Sequence, residues 1–436
     1  MWLFFYFYLM EIEKLYQYFL NSTGVATDTR KIDNGKLFFA LKGENFNGNS
    51  FAKQAKELGA IISVIDEPQY ESENTFLVKD SLQALQDLAN YHRQKTNIKV
   101  LGITGSNGKT TCKELVSRVL SKKFKVSATL GNLNNHIGVP LTILSWPKDT
   151  EFAVVEMGAN HQKEIEMLCN IAMPNYGVIT SIGKAHIEGF GGVEGVIKGK
   201  GELFDYLSKH HGLAFVNQNI EVLREMADQR KLHTYLYGKQ SDAVHGMIHS
   251  TQPFVDCDIF FDNVSFNIQS NLIGEYNFLN ILSAATIGYY FGVAPQDIVA
   301  AISGYVSDNN RSQFEQVGEN NIIFDAYNAN PTSVSHAIKY LNELAAENKI
   351  VIIGDMWELG EYAIQEHQAI VDQLKACNFN KVILVGALFG KIELPSSFLH
   401  FNDNQETKKW FDNSETKNAT ILLKGSRGMK LEKIFK

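Results

Sequence analysis

Short apolar runs alternate with stretches of helical periodicity along most of this chain. Between residues 20 and 97, Leu37 to Leu41, Ala60 to Ile65 and Phe76 to Val78 read as strands. Ser50 to Leu58 and Ser81 to Lys95 read as helices, each with a serine available as N-cap. The run Lys99 to Thr104 opens a second series, continued by Phe152 to Val155, Tyr176 to Thr180 and Leu213 to Val216. Helical segments between these runs make a βαβ pattern, which implies a parallel sheet covered on both faces. From 243 to 273 strict alternation takes over, as in Asp258-Ile-Phe-Phe-Asp-Asn-Val-Ser-Phe-Asn-Ile-Gln269, and predicts antiparallel strands at that sheet's edge. A third βα series follows residue 312, with strands at Ile322 to Phe324, Lys349 to Ile353, Lys381 to Val385 and Thr420 to Lys424. The chain reads as an α/β protein of three packed domains, 1–97, 98–312 and 313–436.

Composition narrows this picture only a little. With 436 residues the chain is too long for one hydrophobic core, and 44% hydrophobic with 20% charged residues is ordinary for a globular protein. The net charge of −7 argues against nonspecific binding to nucleic acid or anionic lipid, while leaving room for a local basic pocket. Cys112, Cys169, Cys257 and Cys377 stand far apart and read as reduced thiols. The apolar start MWLFFYFYLM is shorter than the roughly 20 residues a bilayer requires and lacks the basic start and cleavage site of a signal peptide. Met10 opens an amphipathic stretch, so we read Met1 to Leu9 as a dispensable extension or as upstream of the true start; a membrane-surface anchor is the alternative.

The chemistry begins at Gly102-Ile-Thr-Gly-Ser-Asn-Gly-Lys-Thr-Thr111, where a strand enters a glycine-rich turn and then a helix. Backbone N–H groups from Gly105, Ser106, Asn107 and Gly108 can wrap phosphate oxygens ahead of a helix that starts at Lys109 to Thr111. Lys109, at an exposed loop end, would reach the β- and γ-phosphates, and the Thr110 hydroxyl would hold Mg²⁺. Glu156 ends a buried strand, so it should face the same loop and share that ion with Thr110. Thr180-Ser-Ile-Gly-Lys-Ala-His186 follows the next strand and offers His186 as a further metal ligand. Thr129-Leu-Gly-Asn-Leu-Asn-Asn-His-Ile-Gly-Val-Pro-Leu141 carries Asn132, Asn134 and Asn135, whose amides can meet a phosphate or oxyanion without a competing negative charge.

Only two residues separate Gly105 from Gly108, where the usual P-loop has four. This shorter loop resembles that of the Mur ligases and folylpolyglutamate synthases, and the resemblance to Mur ligases extends from about residue 10 to 436. The asparagine-rich loop and Asp325-Ala-Tyr-Asn-Ala-Asn-Pro331 resemble the branch that adds D-alanyl-D-alanine. Gly199-Lys-Gly-Glu-Leu-Phe204 matches the segment that carries a carbamylated lysine, which implies that role for Lys200; Lys184 and Lys198 remain alternatives. Gly274-Glu-Tyr-Asn-Phe-Leu-Asn280 matches a nucleotide-contacting motif through Asn277 and Asn280, the second expected at the adenine, with Tyr276 where the family usually has histidine. The resemblance further implies nucleotide contacts from Arg311, in Asn309-Asn-Arg-Ser312, and ribose contacts from Asp325. Asp28, Thr29 and Arg30 would hold the UDP-sugar end, and Arg427, in Lys424-Gly-Ser-Arg427, the acceptor carboxylate.

The resemblance implies a central P-loop ATPase domain and a Rossmann-like C-terminal domain. It also implies ATP and Mg²⁺ as cofactors, UDP-N-acetylmuramoyl-tripeptide and D-alanyl-D-alanine as substrates, a cytoplasmic location, a monomer, and no nucleic-acid or membrane partner. Two rivals stand beside it: a ligase of the same architecture with another substrate (diaminopimelate, lysine or folate), and a nucleotide-binding regulator without ligase activity.

Overall fold

A computed structural model describes residues 2–307 and 311–436, with side chains from Met10 onward. The chain opens on a helix, Trp2–Leu20, whose Ile12 and Leu15 are buried; the question of a dispensable Met1 to Leu9 falls on side chains outside the described residues. The first sheet is parallel, in the order Val25–Ala26, Leu37–Phe39, Ile62–Ile65, Thr75–Leu77. The helix over Ser81–Gln94 forms as predicted, but Asp80 caps it by accepting from the Gln83 N–H, and the Ser81 hydroxyl is buried without a partner. The stretch after Asn47 begins as a 3₁₀ turn, Gly48–Phe51, and becomes α-helical only over Ala52–Glu57, so Ser50 is not its cap either. Asp80 and Asn47 supply the accepting oxygens at these starts, a role for which aspartate, asparagine and serine are about equally suited.

Six parallel strands form the central sheet, ordered His233–Tyr237, Leu213–Asn217, Tyr176–Ile179, Lys99–Thr104, Phe152–Glu156, Val126–Ala128. Lys99–Thr104 is interior and Val100 to Thr104 are all buried, as the apolar run required. The alternating segment does not extend this sheet. It forms its own antiparallel sheet, Val244–Ser250, Asp256–Phe261 and Val264–Gln269, linked to the central sheet's edge by a bridge between Gly238 and His245. Its inner face, with Cys257, Ile259 and Phe261, packs on the helix Glu275–Tyr290, so the alternation reflects a separate half-buried layer.

The third sheet is ordered Gln313–Val317, Asn320–Asp325, Thr420–Lys424, Lys349–Gly354, Lys381–Val385, Phe398–Phe401, and only its first pair is antiparallel. Helix Ser81–Gln94 is the wall between the first and central units. From it Gln86 donates to the His136 carbonyl at 3.0 Å and Asn90 to the Asn170 carbonyl at 2.7 Å. Arg93, buried, donates to the carbonyls of Ala172 and Met173 and to Asn175 Oδ1 at 3.0–3.1 Å. Among the described residues no helix is long and apolar enough to cross a membrane.

Candidate active site

The carboxyl ends of the central strands face a cavity of about 500 Å³, closed on its far side by the third unit. The phosphate loop forms its floor. Gly105 stands at φ +146, where an added Cβ would lie 2.2 Å from Thr180 Oγ1, and Gly108 at φ +83, with 2.5 Å to Asn280 Oδ1. Both positions therefore need glycine. The helix Lys109–Leu120 starts directly behind.

Thr110 and Glu156 meet here as the strand-end argument expected. The Thr110 hydroxyl donates to Glu156 Oε1 at 3.2 Å, and Asn134 Nδ2 donates to the same oxygen at 2.7 Å. Among the described residues Glu156 Oε2, which is buried, has no hydrogen-bond partner. A buried carboxylate oxygen left unpaired is costly, and beside a threonine hydroxyl and a phosphate loop it fits Mg²⁺, which takes hard oxygen ligands. Among the described residues no three His, Cys, Asp or Glu side chains converge. The protein's share of the shell is thus sparser than a cluster of ligands, as suits an ion held largely by phosphates and water.

Lys109 is not at an exposed loop end. It is half-buried and folds back to donate to the Gly105 and Ser106 carbonyls at 2.6 and 3.3 Å. Burial lowers its pKa to about 8, against the opposing pull of Glu156. His186 lines the cavity in a left-handed conformation, φ 54, with Nδ1 2.5 Å from Glu358 Oε2 of the third unit. That contact in turn holds the Glu358 carboxyl below the usual range. Lys200 lies outside the lining. Its buried ammonium donates to the Ala159 carbonyl at 2.9 Å beside the Phe190 ring, and burial, with the Lys109 charge, lowers its pKa well below normal. Of its rivals, Lys198 is exposed and Lys184 pairs with Glu366 at 2.6 Å.

Asn277 and Asn280 are buried and linked to each other at 2.9 Å, with Asn280 against the Gly108 turn. Ser106, Asn107, Thr111, Arg311 and Asp325 share the cavity wall with them. The Arg311 guanidinium stacks 3.6 Å from the Tyr327 ring centroid, while Asn309 and Asn310 lie outside the described residues. Asp325 accepts from Lys424 Nζ at 2.6 Å and from the Ser312 N–H at 3.3 Å. Asn135 lines the cavity too, although its Oδ1 accepts from the Gly138 N–H at the start of a short helix. Tyr276 donates or accepts at Ser312 Oγ, 2.6 Å away, and lies parallel to the His336 ring. Among the wall residues not singled out by sequence are Lys424, Tyr327, Asn330 and His336. Asn330 Nδ2 reaches across to Asn107 Oδ1 at 2.8 Å. All four lie on or within about ten residues of the Asp325 and Lys424 motifs, but nothing in the sequence says which side chains turn inward.

Two predicted groups are not brought into this cavity. Asp28 and Arg30 form a fork-like pair at 2.6–3.1 Å on the first unit, which holds the Asp28 carboxyl down to about 2, and neither they nor Thr29 line the cavity. Arg427 is paired with Glu432 at 3.2 Å and lies outside the lining as well.

A phosphate loop, a buried carboxylate beside it and a second unit closing over them describe an ATP-dependent ligase. Three family profiles match in chain order: Mur ligase family, catalytic domain over 21–93, Mur ligase middle domain over 103–288, and Mur ligase, glutamate ligase domain over 311–427. The chain belongs to the Mur ligase family. Within it, the UDP-N-acetylmuramoyl-tripeptide–D-alanyl-D-alanine ligase of Bacillus subtilis is 36% identical, covering 95% of this chain and 92% of that one. The enzyme of the same name from Escherichia coli is 34% identical over 94% and 92%. Crystal structure I of MurF from Acinetobacter baumannii superposes with a TM-score of 0.85 at 30% identity, covering 94% and 92%. MurF ligase from Thermotoga maritima in complex with ADP gives 0.84 at 26% identity, covering 95% and 96%.

Proposed function

We infer that this chain is an ATP-dependent ligase that joins D-alanyl-D-alanine to UDP-N-acetylmuramoyl-tripeptide in peptidoglycan synthesis. The observation that carries the reading is Glu156, bonded by both Thr110 of the phosphate loop and Asn134 of the asparagine-rich loop, with one buried oxygen left for a cation. The tripeptide's terminal carboxylate attacks the γ-phosphorus of ATP, ADP leaves, and an acyl phosphate forms. The dipeptide amine, having lost a proton, attacks that carbonyl, the new C–N bond forms and inorganic phosphate departs.

Lys109 turns from its loop carbonyls to the transferred phosphate, and the oriented N–H groups of Gly105 to Thr111 offset its charge without reorganisation. Thr110, Glu156 and His186, with a carbamylated Lys200, would hold Mg²⁺, which would supply electrostatic stabilisation to the phosphoryl oxygens. Asn280 and Asn277 border the nucleotide, with Arg311 and Asp325 reaching it from the third unit. Asp28, Thr29 and Arg30 hold the uridine diphosphate end outside this cavity, and Arg427 pairs with the dipeptide carboxylate. Divisions near 97 and 312 separate these three tasks, in a cytoplasmic monomer. Phosphate release from ATP should require both UDP-tripeptide and D-alanyl-D-alanine. Release with tripeptide alone at the same rate, or with diaminopimelate or lysine as acceptor on the shorter precursor, would replace this reading.

A further inference from the structure

We infer that Glu358 is a positioning residue for His186, so that the central unit's metal site is complete only when the third unit is docked. The inference rests on the reading of His186 as a metal ligand. Glu358 Oε2 lies 2.5 Å from Nδ1, a close ion-pair contact made across the boundary between the two units. A carboxylate beside one imidazole nitrogen fixes the ring's orientation and so aims the other, the usual arrangement behind a metal-bound histidine. That second nitrogen belongs to a side chain lining the cavity of Thr110 and Glu156.

The backbone is shaped for this encounter from both sides. His186 holds φ 54 and Glu358 holds φ 63, conformations that non-glycine residues rarely adopt and that persist only where surroundings impose them. The Glu188 N–H faces the Glu358 carbonyl at 3.4 Å, and Gly360, at φ +54, leaves only 2.9 Å between an added Cβ and the Glu188 side chain. Two further contacts join the same faces: the Lys184 N–H to Thr332 Oγ1 at 3.1 Å, and Lys184 Nζ to Glu366 at 2.6 Å. These hold the units together but do not touch the imidazole. Adhesion and ring positioning are therefore separable by mutation.

Mn²⁺ affinity, read from the electron paramagnetic resonance signal of free ion, tests this on the full chain with a non-hydrolysable ATP analogue. Glu358→Ala should weaken Mn²⁺ binding about tenfold or more. Glu358→Gln should recover part of it, because its amide oxygen can take the same place beside Nδ1, and Glu366→Gln should stay within about twofold of the parent. If Glu366→Gln weakened Mn²⁺ as much as Glu358→Ala, docking alone would account for the effect and the proposal would fall. If His186→Ala weakened Mn²⁺ but Glu358→Ala did not, the positioning role would fall and the ligand reading stand. Unchanged affinity in His186→Ala would remove both.

Discussion

Lys109 has two jobs that its surroundings keep apart in time. The ammonium satisfies the Gly105 and Ser106 carbonyls, and burial draws its pKa to about 8. Below pH 8 the free protein offers ATP a cation; above it, binding must first take up a proton. The KM for ATP should therefore rise as pH passes about 8, while kcat at saturating ATP stays level across that step, because a bound triphosphate holds the amine protonated. Lys109→Ala should lower ligation by about 10²–10³-fold or more while the chain still folds; activity above about a hundredth of the parent would end the phosphate assignment. Lys200 poses the opposite problem, a buried amine whose neutral form is favoured, and only a neutral amine adds carbon dioxide. Lys200→Ala should be nearly inactive and partly restored by acetate, whereas Lys198→Ala and Lys184→Ala should not respond to it. Rescue of Lys198→Ala instead would move the modified position to a residue exposed to solvent.

Runs buried on both faces were the easiest elements to read. Lys381–Val385 and Thr420–Lys424 occupy the predicted residues because an unbroken apolar run in an interior strand has no competing pattern. Edge strands were missed for the converse reason: His233–Tyr237 and Phe398–Phe401 are half-exposed and carry mixed side chains. In the site, Thr110 and Glu156 could be placed together because strand ends and helix starts fix where their backbones go. Arg427 could not, since its long side chain finds Glu432 near its own turn, a choice that spacing does not encode. The tightest element is the phosphate loop. Gly105→Ala would put a Cβ 2.2 Å from Thr180 Oγ1 at a φ of +146. It should lower stability by about 1–3 kcal/mol and weaken ATP binding, read by denaturant titration and calorimetry. Normal ATP affinity in that variant would mean that the turn relaxes without disturbing its N–H groups.

Across the whole molecule, the first and central units are fastened by a helix they share, while the third meets the central one through side-chain contacts around the cavity. Motion that admits substrates should therefore belong to the third unit. Arg93 is the firmest fastening, with three acceptors contributed by the central unit. Arg93→Ala should cost about 2–4 kcal/mol, since buried acceptors lose a charged donor, and a melting temperature within a degree of the parent would show that the contact is dispensable. The same helix has a consequence for biosynthesis. Ser81–Gln94 leaves the ribosome well before the helices Gly138–Leu144 and Glu164–Ala172 that cover it. At about 5–20 residues per second, its docking face and the buried Arg93 site wait on the order of ten seconds for their partners. For that interval the nascent N-terminal unit is a half-finished surface, and a stall in translation before residue 172 should expose it to chaperones and proteases.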